Sequence, residues 1–205
     1  MNKIITFFTI FFISNFLSSA SYGETVLDIS INDLVIGDEN APITIIEYAS
    51  LSCSHCASFH NNTLPDIKKE YVDTGKVRFV FRNFPYDPPS LTGSVILTCI
   101  PKDVRYDYMN ALFSLRKNWI INDNAKSTQE LYKIMQSGGM SKEDFDNCLK
   151  RDDLADQIIK GRIDAQNEFN IKSTPSFLIN GILVEGNKSI KEFRKIIDEI
   201  AISPQ

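Results

Sequence analysis

Residues 43–56 read Ile-Thr-Ile-Ile-Glu-Tyr-Ala-Ser-Leu-Ser-Cys-Ser-His-Cys, and this stretch decides the fold. Its first half is rich in β-branched residues and nearly continuous in apolar character, which predicts a strand covered on both faces. Cys53 and Cys56 follow directly, and apolar residues then recur at helical spacing. A Cys-x-x-Cys sequence between a strand and a helix is typical of a thiol–disulfide redox motif.

The rest of the chain supplies the other elements. Residues 77–82 alternate in polarity like a second strand. A helical segment precedes them, and Pro65 should kink or restart that helix. Because a helix connects the two strands, they are expected to form a parallel pair. From residue 90 to residue 169 the pattern is helical throughout. The chain then returns to two short strands that flank Asn180-Gly181, a strong hairpin signal, and to a last amphipathic helix.

This order predicts an α/β protein with a thioredoxin-like fold interrupted by a helical insertion domain. We expect the thioredoxin-like domain at residues 21–89 and 170–205, and the helical insertion at residues 90–169. Within the helical patterns, Ser-x-x-acid sequences predict helix starts. They begin at Ser127, Ser141 and Ser189.

The amino terminus has the pattern of a secretory signal peptide at residues 1–20. Lys3 supplies a positive charge, a mostly apolar run of 14 residues follows, and small residues lead to Ala20. Cleavage is expected after Ala20 or after Gly23. A helix that spans a bilayer needs about 20 residues, so an uncleaved anchor is the weaker interpretation. We therefore expect export to the periplasm.

Charge and composition exclude several kinds of partner. The chain has 22 Lys and Arg residues against 26 Asp and Glu, a formal net charge of −4. Recognition of nucleic acid needs a basic patch, and the basic residues are scattered. Cys-x-x-Cys is also half of a zinc site, but Cys99 and Cys148 are isolated in the sequence. We therefore expect neither a metal nor another cofactor.

Four cysteines in an exported chain are expected to form two disulfides. Four cysteines allow three pairings. The natural choice joins Cys53 to Cys56 in a redox-active disulfide and Cys99 to Cys148 in a structural one. The second bond would close a loop of about 50 residues, worth roughly 4 kcal/mol on the chain-entropy account. A second redox centre at Cys99 and Cys148 is the alternative.

The two cysteines of the motif are predicted to have different roles. A sulfur at the first turn of a helix faces unpaired N–H groups and the helix dipole, which lower the pKa of Cys53 and make it the attacking thiolate. Cys56, one turn further in, is the resolving thiol. His55 is placed to donate a hydrogen bond or a positive charge to the Cys53 thiolate, which would make the disulfide a stronger oxidant.

Four other residues are ambiguous on the sequence alone. Glu47 interrupts an apolar strand, so it is either a buried carboxyl that moves protons to and from Cys56 or a solvated residue at a strand edge. Thr174-Pro175 is either a cis peptide in a loop against the sulfurs or an ordinary trans turn. His60 is expected to be a surface residue with no role.

Taken together, these residues resemble the DsbA family of extracytoplasmic thiol–disulfide oxidoreductases in the thioredoxin superfamily. The resemblance covers nearly the whole chain after residue 20. It rests on the acidic strand at residues 45–48, on the Cys-Ser-His-Cys motif, on residues 174–181 and on the helical insertion. The resemblance implies that Cys53 is the nucleophile, Cys56 the resolving cysteine, Pro175 a cis-proline that faces them and Glu47 a proton relay.

Two residues of the motifs depart from the prototype oxidase of that family. Ser54 stands where the prototype has proline, and Thr174 stands where it has valine. Threonine before the cis-proline is similar to the isomerase relatives, so the direction of exchange stays open. The additional Cys99 and Cys148 pair resembles a subgroup of bacterial DsbA proteins with a second, structural disulfide.

The sequence is compatible with three functions. The first is an oxidase that donates its disulfide to reduced exported polypeptides and is re-oxidised by a membrane redox partner. The second is a disulfide isomerase or reductase kept in the dithiol form. Such isomerases usually carry a dimerisation domain before the catalytic one, and only about 20 residues separate the signal peptide from the first strand, which favours a monomeric oxidase. The third is a non-catalytic peptide-binding chaperone, which would need neither the cysteines nor His55.

Overall fold

A computed structural model describes residues 28–202 of the chain. The predicted signal peptide at residues 1–20 lies outside the described residues. The strands of the described part are β1 (Leu34–Ile36), β2 (Ile43–Ala49), β3 (Val77–Asn83), β4 (Ser176–Ile179) and β5 (Ile182–Glu185). They form one sheet in the order β1-β3-β2-β4-β5.

Helices connect most of the strands, and one helix follows the last strand. They are α1 (Ser54–Asn62), α2 (Leu64–Ile67), α3 (Pro88–Cys99), α4 (Lys102–Ser114), α5 (Arg116–Trp119), α6 (Asn124–Ser137), α7 (Lys142–Leu149), α8 (Asp152–Phe169) and α9 (Ile190–Ile202). The helix stops at Asn62 and restarts as α2 at Leu64, directly before Pro65, as predicted. A π-helical turn (Lys68–Val72) continues α2. Between residues 28 and 202, no helix is both long enough and apolar enough to span a membrane.

Strand β2 lies at the centre of the sheet and positions the candidate site. It runs parallel to β3, as predicted, and antiparallel to β4. Glu47 is level with Phe81 on one side and with Phe177 on the other. Strand β1, which no sequence pattern predicted, pairs antiparallel with β3. The sheet order and the helices between β3 and β4 confirm the predicted α/β, thioredoxin-like fold class.

Both faces of β2 are buried. Ile45 and Ala49 belong to a large apolar core that extends into α1, α3, α4 and α6, whereas Ile46 and Tyr48 belong to a smaller cluster that includes a residue of α8. Side chains alternate between the two faces of a strand, which explains the nearly continuous apolar run. Glu47 shares the face of Ile45 and Ala49, so its carboxyl group points into the large core.

A buried ion pair ties the segment before β1 to the sheet. Arg82 of β3 donates from Nη2 to Asp33 at 2.6 Å and from Nη1 to the Tyr48 hydroxyl at 3.1 Å. Its Nη2 also donates to the Asp28 carbonyl at 2.7 Å. The Arg82 and Asp33 side chains are only 11% and 5% exposed. Loss of one partner would leave a buried charge uncompensated, which typically costs about 3–5 kcal/mol.

Local sequence signals predicted most turns and caps correctly. Asn180 and Gly181 both have positive φ, 46° and 84°, and they join β4 to β5 in the predicted hairpin. Ser141 and Ser189 accept N–H groups at the starts of α7 and α9, as predicted.

The helix start predicted at Ser127 is wrong. Helix α6 begins three residues earlier and is capped by the Asp123 carboxylate, which accepts the Lys126 N–H at 3.1 Å. A carboxylate at a helix N-terminus satisfies a free N–H group and interacts favourably with the helix dipole. The Ser127 hydroxyl instead bonds to both the N–H and the carbonyl of Ile121, each at 3.0 Å.

Candidate active site

Cys53 occupies the N-cap of α1, where the chain turns from the end of β2 into the helix. Its backbone is extended, with φ −74° and ψ 125°, and its sulfur accepts the Cys56 N–H at 3.4 Å. The Cys53 residue is only 6% exposed. The sulfur is therefore directed at the first turn of α1, where backbone N–H groups lack helical partners.

The surroundings of Cys53 favour its thiolate. Its pKa falls well below the ordinary value for cysteine, to about 5, chiefly because the Cys56 thiol hydrogen-bonds to the sulfur. Burial opposes this change, whereas the Thr174 side chain and the backbone N–H groups of Cys56 and His55 add to it. The thiolate is the reactive form of cysteine, so Cys53 is ionised and nucleophilic at neutral pH. The helix N–H groups contribute as predicted, but the largest effect comes from the second cysteine.

Cys56 has the opposite character. It is fully buried, and burial is the main reason why its pKa lies well above the ordinary value. The hydrogen bond to Cys53 and the negative charges of Glu47 and Cys53 act in the same direction. Both cysteines are free thiols here, so the structure describes the dithiol of the pair rather than the predicted disulfide. An ionised outer sulfur beside a protonated inner one suits an attacking and a resolving cysteine.

The Thr174–Pro175 peptide bond is cis and lies against the motif. The Thr174 carbonyl oxygen is 3.3 Å from the Cys53 sulfur. Pro175 is buried at the start of β4, and its carbonyl accepts the Gly186 N–H at 2.9 Å. The structure thus brings together residues that are more than a hundred positions apart in the chain.

Ser54 and His55 lie on the exposed side of the first turn of α1. In the described part of the chain, the His55 ring has no hydrogen-bond partner, so the predicted contact from this ring to the sulfur is not made. The contribution of His55 to the low pKa of Cys53 comes from its backbone N–H.

Residues of the helical segment hold the loop that precedes Cys53. The Ser52 hydroxyl donates to the Asp87 carboxylate at 2.6 Å, and Arg116 Nε donates to the Ser52 carbonyl at 2.7 Å. Asp87 also caps α3 by accepting the Ser90 N–H at 2.8 Å. Helices α3 and α5 are therefore both tied to Ser52, the residue next to Cys53. No sequence pattern marked these residues, because the contacts join distant parts of the chain.

Glu47 and His60 form a buried pair behind the two cysteines. His60 Nε2 lies 2.7 Å from Glu47 Oε2, and the side chains are 1% and 0% exposed. The alternative of a solvated Glu47 is wrong, because β2 is a central strand. Burial is the largest effect on the pKa of Glu47 and raises it, while the charge and hydrogen bond of His60 partly oppose that rise.

The expectation that His60 is a surface residue is also wrong. His60 follows Cys56 by four positions on α1, and residues at that spacing lie on the same side of a helix. Because Cys56 points into the core, this spacing was a signal that His60 does so too. Its ring stacks on Phe113 of α4, with centroids 3.9 Å apart.

Cys99 and Cys148 form a disulfide between α3 and α7. Their Cα atoms are 6.3 Å apart, and they are separated by 49 positions in the sequence. Both residues lie in the last turns of their helices, away from the N-terminal N–H groups that would favour a thiolate. Residues 28–202 contain no group of three His, Cys, Asp or Glu residues that could hold a metal ion.

Comparison with known proteins places the chain among thioredoxin-like proteins. The family described as thioredoxin matches residues 30–199. The crystal structure of alpha-DsbA1 from Wolbachia pipientis has 32% sequence identity and a TM-score of 0.79, over 85% of this chain and 93% of that chain. Oxidised BdbD from Bacillus subtilis, at 23% identity and a TM-score of 0.72 over 83% of this chain and 94% of that chain, shares the fold.

Curated relatives are longer than this chain. A Rickettsia prowazekii protein with the provisional name protein-disulfide oxidoreductase is 30% identical over 170 residues, which are 82% of this chain and 61% of that protein. A Rickettsia felis protein with the same provisional name is 29% identical over 82% of this chain and 60% of its own length. The chain thus spans about three fifths of the length of these relatives.

Proposed function

We propose that this chain catalyses thiol–disulfide exchange through Cys53 and Cys56 and introduces disulfide bonds into exported polypeptides. The chain belongs to the DsbA family of the thioredoxin superfamily. One observation carries the proposal. Cys53 lies at the N-cap of α1, with a pKa of about 5, beside the cis Thr174–Pro175 bond. A thiolate stabilised in this way favours the dithiol form, which makes the corresponding disulfide a stronger oxidant.

The exchange begins from the oxidised protein, in which Cys53 and Cys56 are joined. A substrate thiolate attacks the Cys53 sulfur, the bond to Cys56 breaks, and Cys56 leaves as a thiolate that takes up a proton. A second substrate thiolate then attacks the substrate sulfur of the mixed disulfide and displaces the Cys53 thiolate. Two electrons pass from the substrate dithiol to the cysteine pair. The low pKa of Cys53 makes it a good leaving group in the last step.

Two groups beside the sulfurs assist these steps. Thr174 is half-buried and its carbonyl lies 3.3 Å from the Cys53 sulfur, so an extended substrate that reaches the sulfur passes this backbone. Glu47 is buried behind Cys56 with a raised pKa, which suits a group that supplies the proton Cys56 needs.

The cellular setting forms part of the proposal. The predicted signal peptide at residues 1–20 supports export to the periplasm, where disulfides form and persist. The substrates are then reduced exported polypeptides, and a membrane redox partner re-oxidises the cysteine pair after each turnover. We propose that the chain works as a monomer. The disulfide between Cys99 and Cys148 has a structural role, since neither sulfur lies at a helix N-terminus.

The second candidate function is disulfide isomerisation or reduction by the same site. It is favoured by Thr174, the residue before the cis-proline, which is similar to that of the isomerase relatives. A peptide-binding chaperone is disfavoured, because binding alone gives no reason to hold an ionised sulfur in a buried position at Cys53.

The reduction potential of the Cys53–Cys56 pair distinguishes the two directions of exchange. A value near that of the strong oxidant DsbA, about −120 mV, supports the oxidase, whereas a value near that of thioredoxin, about −270 mV, supports the reductase.

Disulfide transfer to a reduced peptide tests the site itself. We expect Cys53→Ala to abolish transfer, because no other described cysteine is an ionised thiol at a helix N-terminus. The matched control is the double variant Cys99→Ser/Cys148→Ser, which should keep transfer. It should lose roughly 4 kcal/mol of stability on the chain-entropy account. Transfer that persists in Cys53→Ala would overturn the proposed function.

A further inference from the structure

We propose that His60 is a positioning residue that acts through Glu47: it fixes the Glu47 carboxyl behind Cys56, where this carboxyl supplies the proton that Cys56 takes up. This inference rests on the proposed function and names a further residue of the same site. No sequence pattern had assigned a role to His60.

The first support is the geometry of the pair. The distance from His60 Nε2 to Glu47 Oε2 is 2.7 Å, which is that of a strong hydrogen bond with a charged or partly charged partner. His60 reaches Glu47 from α1, the helix that also carries both cysteines. Glu47 reaches His60 from the central strand β2. The pair therefore connects the helix of the redox motif to the sheet beneath it.

The second support is the aromatic enclosure of the imidazole ring. Phe113 stacks on it, with an interplanar angle of 18° and centroids 3.9 Å apart. Phe81 and Phe59 meet the ring in T-shaped contacts at 5.8 and 5.5 Å. These packed rings restrict rotation of the imidazole and exclude bulk water. Phe113 belongs to α4, so the helical segment completes the enclosure.

The third support is that the remaining polar atoms of the two side chains have no other partner among the described residues. In the described part of the chain, Glu47 Oε1 and His60 Nδ1 are buried and have no hydrogen-bond partner. The titratable groups that face the pair are Cys53 and Cys56 on α1.

Three other elements each place a phenylalanine beside the pair. Phe81 comes from β3, Phe177 from β4 and Phe113 from α4. An unmatched charge in such a site is costly. The Glu47 carboxyl, whose pKa burial raises, therefore keeps its proton until the Cys56 sulfur becomes negative.

The proton then balances the exchange reaction. When the bond between the cysteines breaks, the Cys56 thiolate takes the proton from the Glu47 carboxyl, which leaves a Cys56 thiol and a Glu47 carboxylate. When the second substrate thiol ionises to attack the mixed disulfide, its proton returns to Glu47. Across both steps the substrate, which starts with one thiol and one thiolate, becomes a disulfide. The protein gains two electrons and one proton. It ends with a Cys53 thiolate and with the proton on the Cys56 sulfur.

His60 opposes the effect of burial on the pKa of Glu47. Burial raises the pKa of Glu47, while the charge and hydrogen bond of His60 lower it. Without His60, the carboxyl would hold its proton more tightly and would be free to turn away from Cys56. Removal of His60 should therefore slow exchange and move its pH dependence to higher pH.

The experiment compares full-length oxidised proteins in the oxidation of a dithiol peptide, followed by rapid mixing between pH 5 and pH 9. The variants are His60→Phe, His60→Gln, Glu47→Gln and the double variant Glu47→Gln/His60→Phe. We expect His60→Phe to lower the rate at pH 7 by about tenfold, which is a part of the roughly 10²–10⁴-fold that a positioned general acid contributes, and to shift the profile to higher pH. The His60→Gln variant, whose amide can still donate to Glu47, should recover part of the rate.

The double variant separates a positioning role from a purely structural one. If His60 acts through Glu47, the His60→Phe change has no further effect on the rate or the pH profile in the Glu47→Gln background. An equal loss in both backgrounds, or an unchanged pH profile in both His60 variants, would overturn the inference. If the wild-type protein itself fails to oxidise the peptide, the proposed function is wrong and this inference falls with it. Should His60→Phe not fold, the His60→Gln profile alone decides.

Discussion

The low pKa of Cys53 predicts a specific pH dependence of stability for the dithiol form. The pKa is about 5 in the folded chain and about 8.5 for an unperturbed cysteine in the unfolded chain. Because the folded value is the lower one, the thiolate stabilises the fold at high pH, and this contribution is lost as the pH falls through 5. At pH 7 linkage gives about 3 kcal/mol, and at pH 4 it gives less than about 0.1 kcal/mol.

The assay is urea unfolding of the reduced protein at pH 7 and at pH 4. Cys53→Ser provides the matched control, because it removes this one titration and leaves the other ionisable groups in place. Both proteins should carry the Cys99→Ser/Cys148→Ser changes, so that the reductant acts on one cysteine pair only. The difference between the two proteins then reports the Cys53 titration together with its effect on the titration of Glu47.

We expect the Cys53 protein to lose about 3 kcal/mol more than the Cys53→Ser control between pH 7 and pH 4. The oxidised form of the same protein should behave like the control, since a disulfide sulfur does not titrate. An equal loss in the reduced protein and in Cys53→Ser would refute the reasoning, because it would mean that the folded chain does not stabilise the thiolate.

Two further predictions concern the core around the site. Arg82→Met should cost about 3–5 kcal/mol in denaturant unfolding, since it leaves a buried carboxylate unpaired. Arg194→Ala, which breaks an exposed ion pair, should leave the melting temperature nearly unchanged. Similar losses of stability in Arg82→Met and Arg194→Ala would contradict the view that only the buried ion pair contributes strongly. Gly93→Ala places a Cβ 2.8 Å from the Trp119 ring and should cost about 1–3 kcal/mol. Gly161→Ala, in a helix with open space around it, should be neutral or stabilising; a destabilised Gly161→Ala would count against the reasoning.

Much of the fold followed from local patterns. The apolar run before Cys53 predicted a strand covered on both faces, and β2 is buried on both faces. Asn180-Gly181 predicted the hairpin between β4 and β5, because both residues must adopt positive φ there. The three-residue strand β1 was missed, since a segment that short has no measurable alternation.

The parts of the site that sequence patterns did not predict depend on long-range contacts. The spacing of His60 from Cys56 pointed to the core, but its ring contact with Phe113, which lies far along the chain, could not be read from the sequence. Arg116 reaches back from α5 to the Ser52 carbonyl, over 64 positions. His55 shows the reverse case: its place in the motif suggested a ring contact with the sulfur, but its side chain is exposed and its backbone N–H acts instead.

Trapping of the mixed disulfide tests the central claim most directly. In Cys56→Ser the resolving thiol is absent, so a substrate that reacts with the nucleophile stays attached to it. Incubation with a peptide that carries an activated disulfide, followed by mass spectrometry of the digested protein, should find the peptide on Cys53. In the reduced wild-type protein, which keeps the Cys56 thiol, the initial rate of the same reaction should follow a pKa near 5. The Cys53→Ser protein should remain unlabelled at neutral pH. Labelling of Cys56 in Cys53→Ser at the rate of Cys53, or a rate governed by an unperturbed pKa of about 8.5, would contradict the assignment of Cys53 as the activated nucleophile.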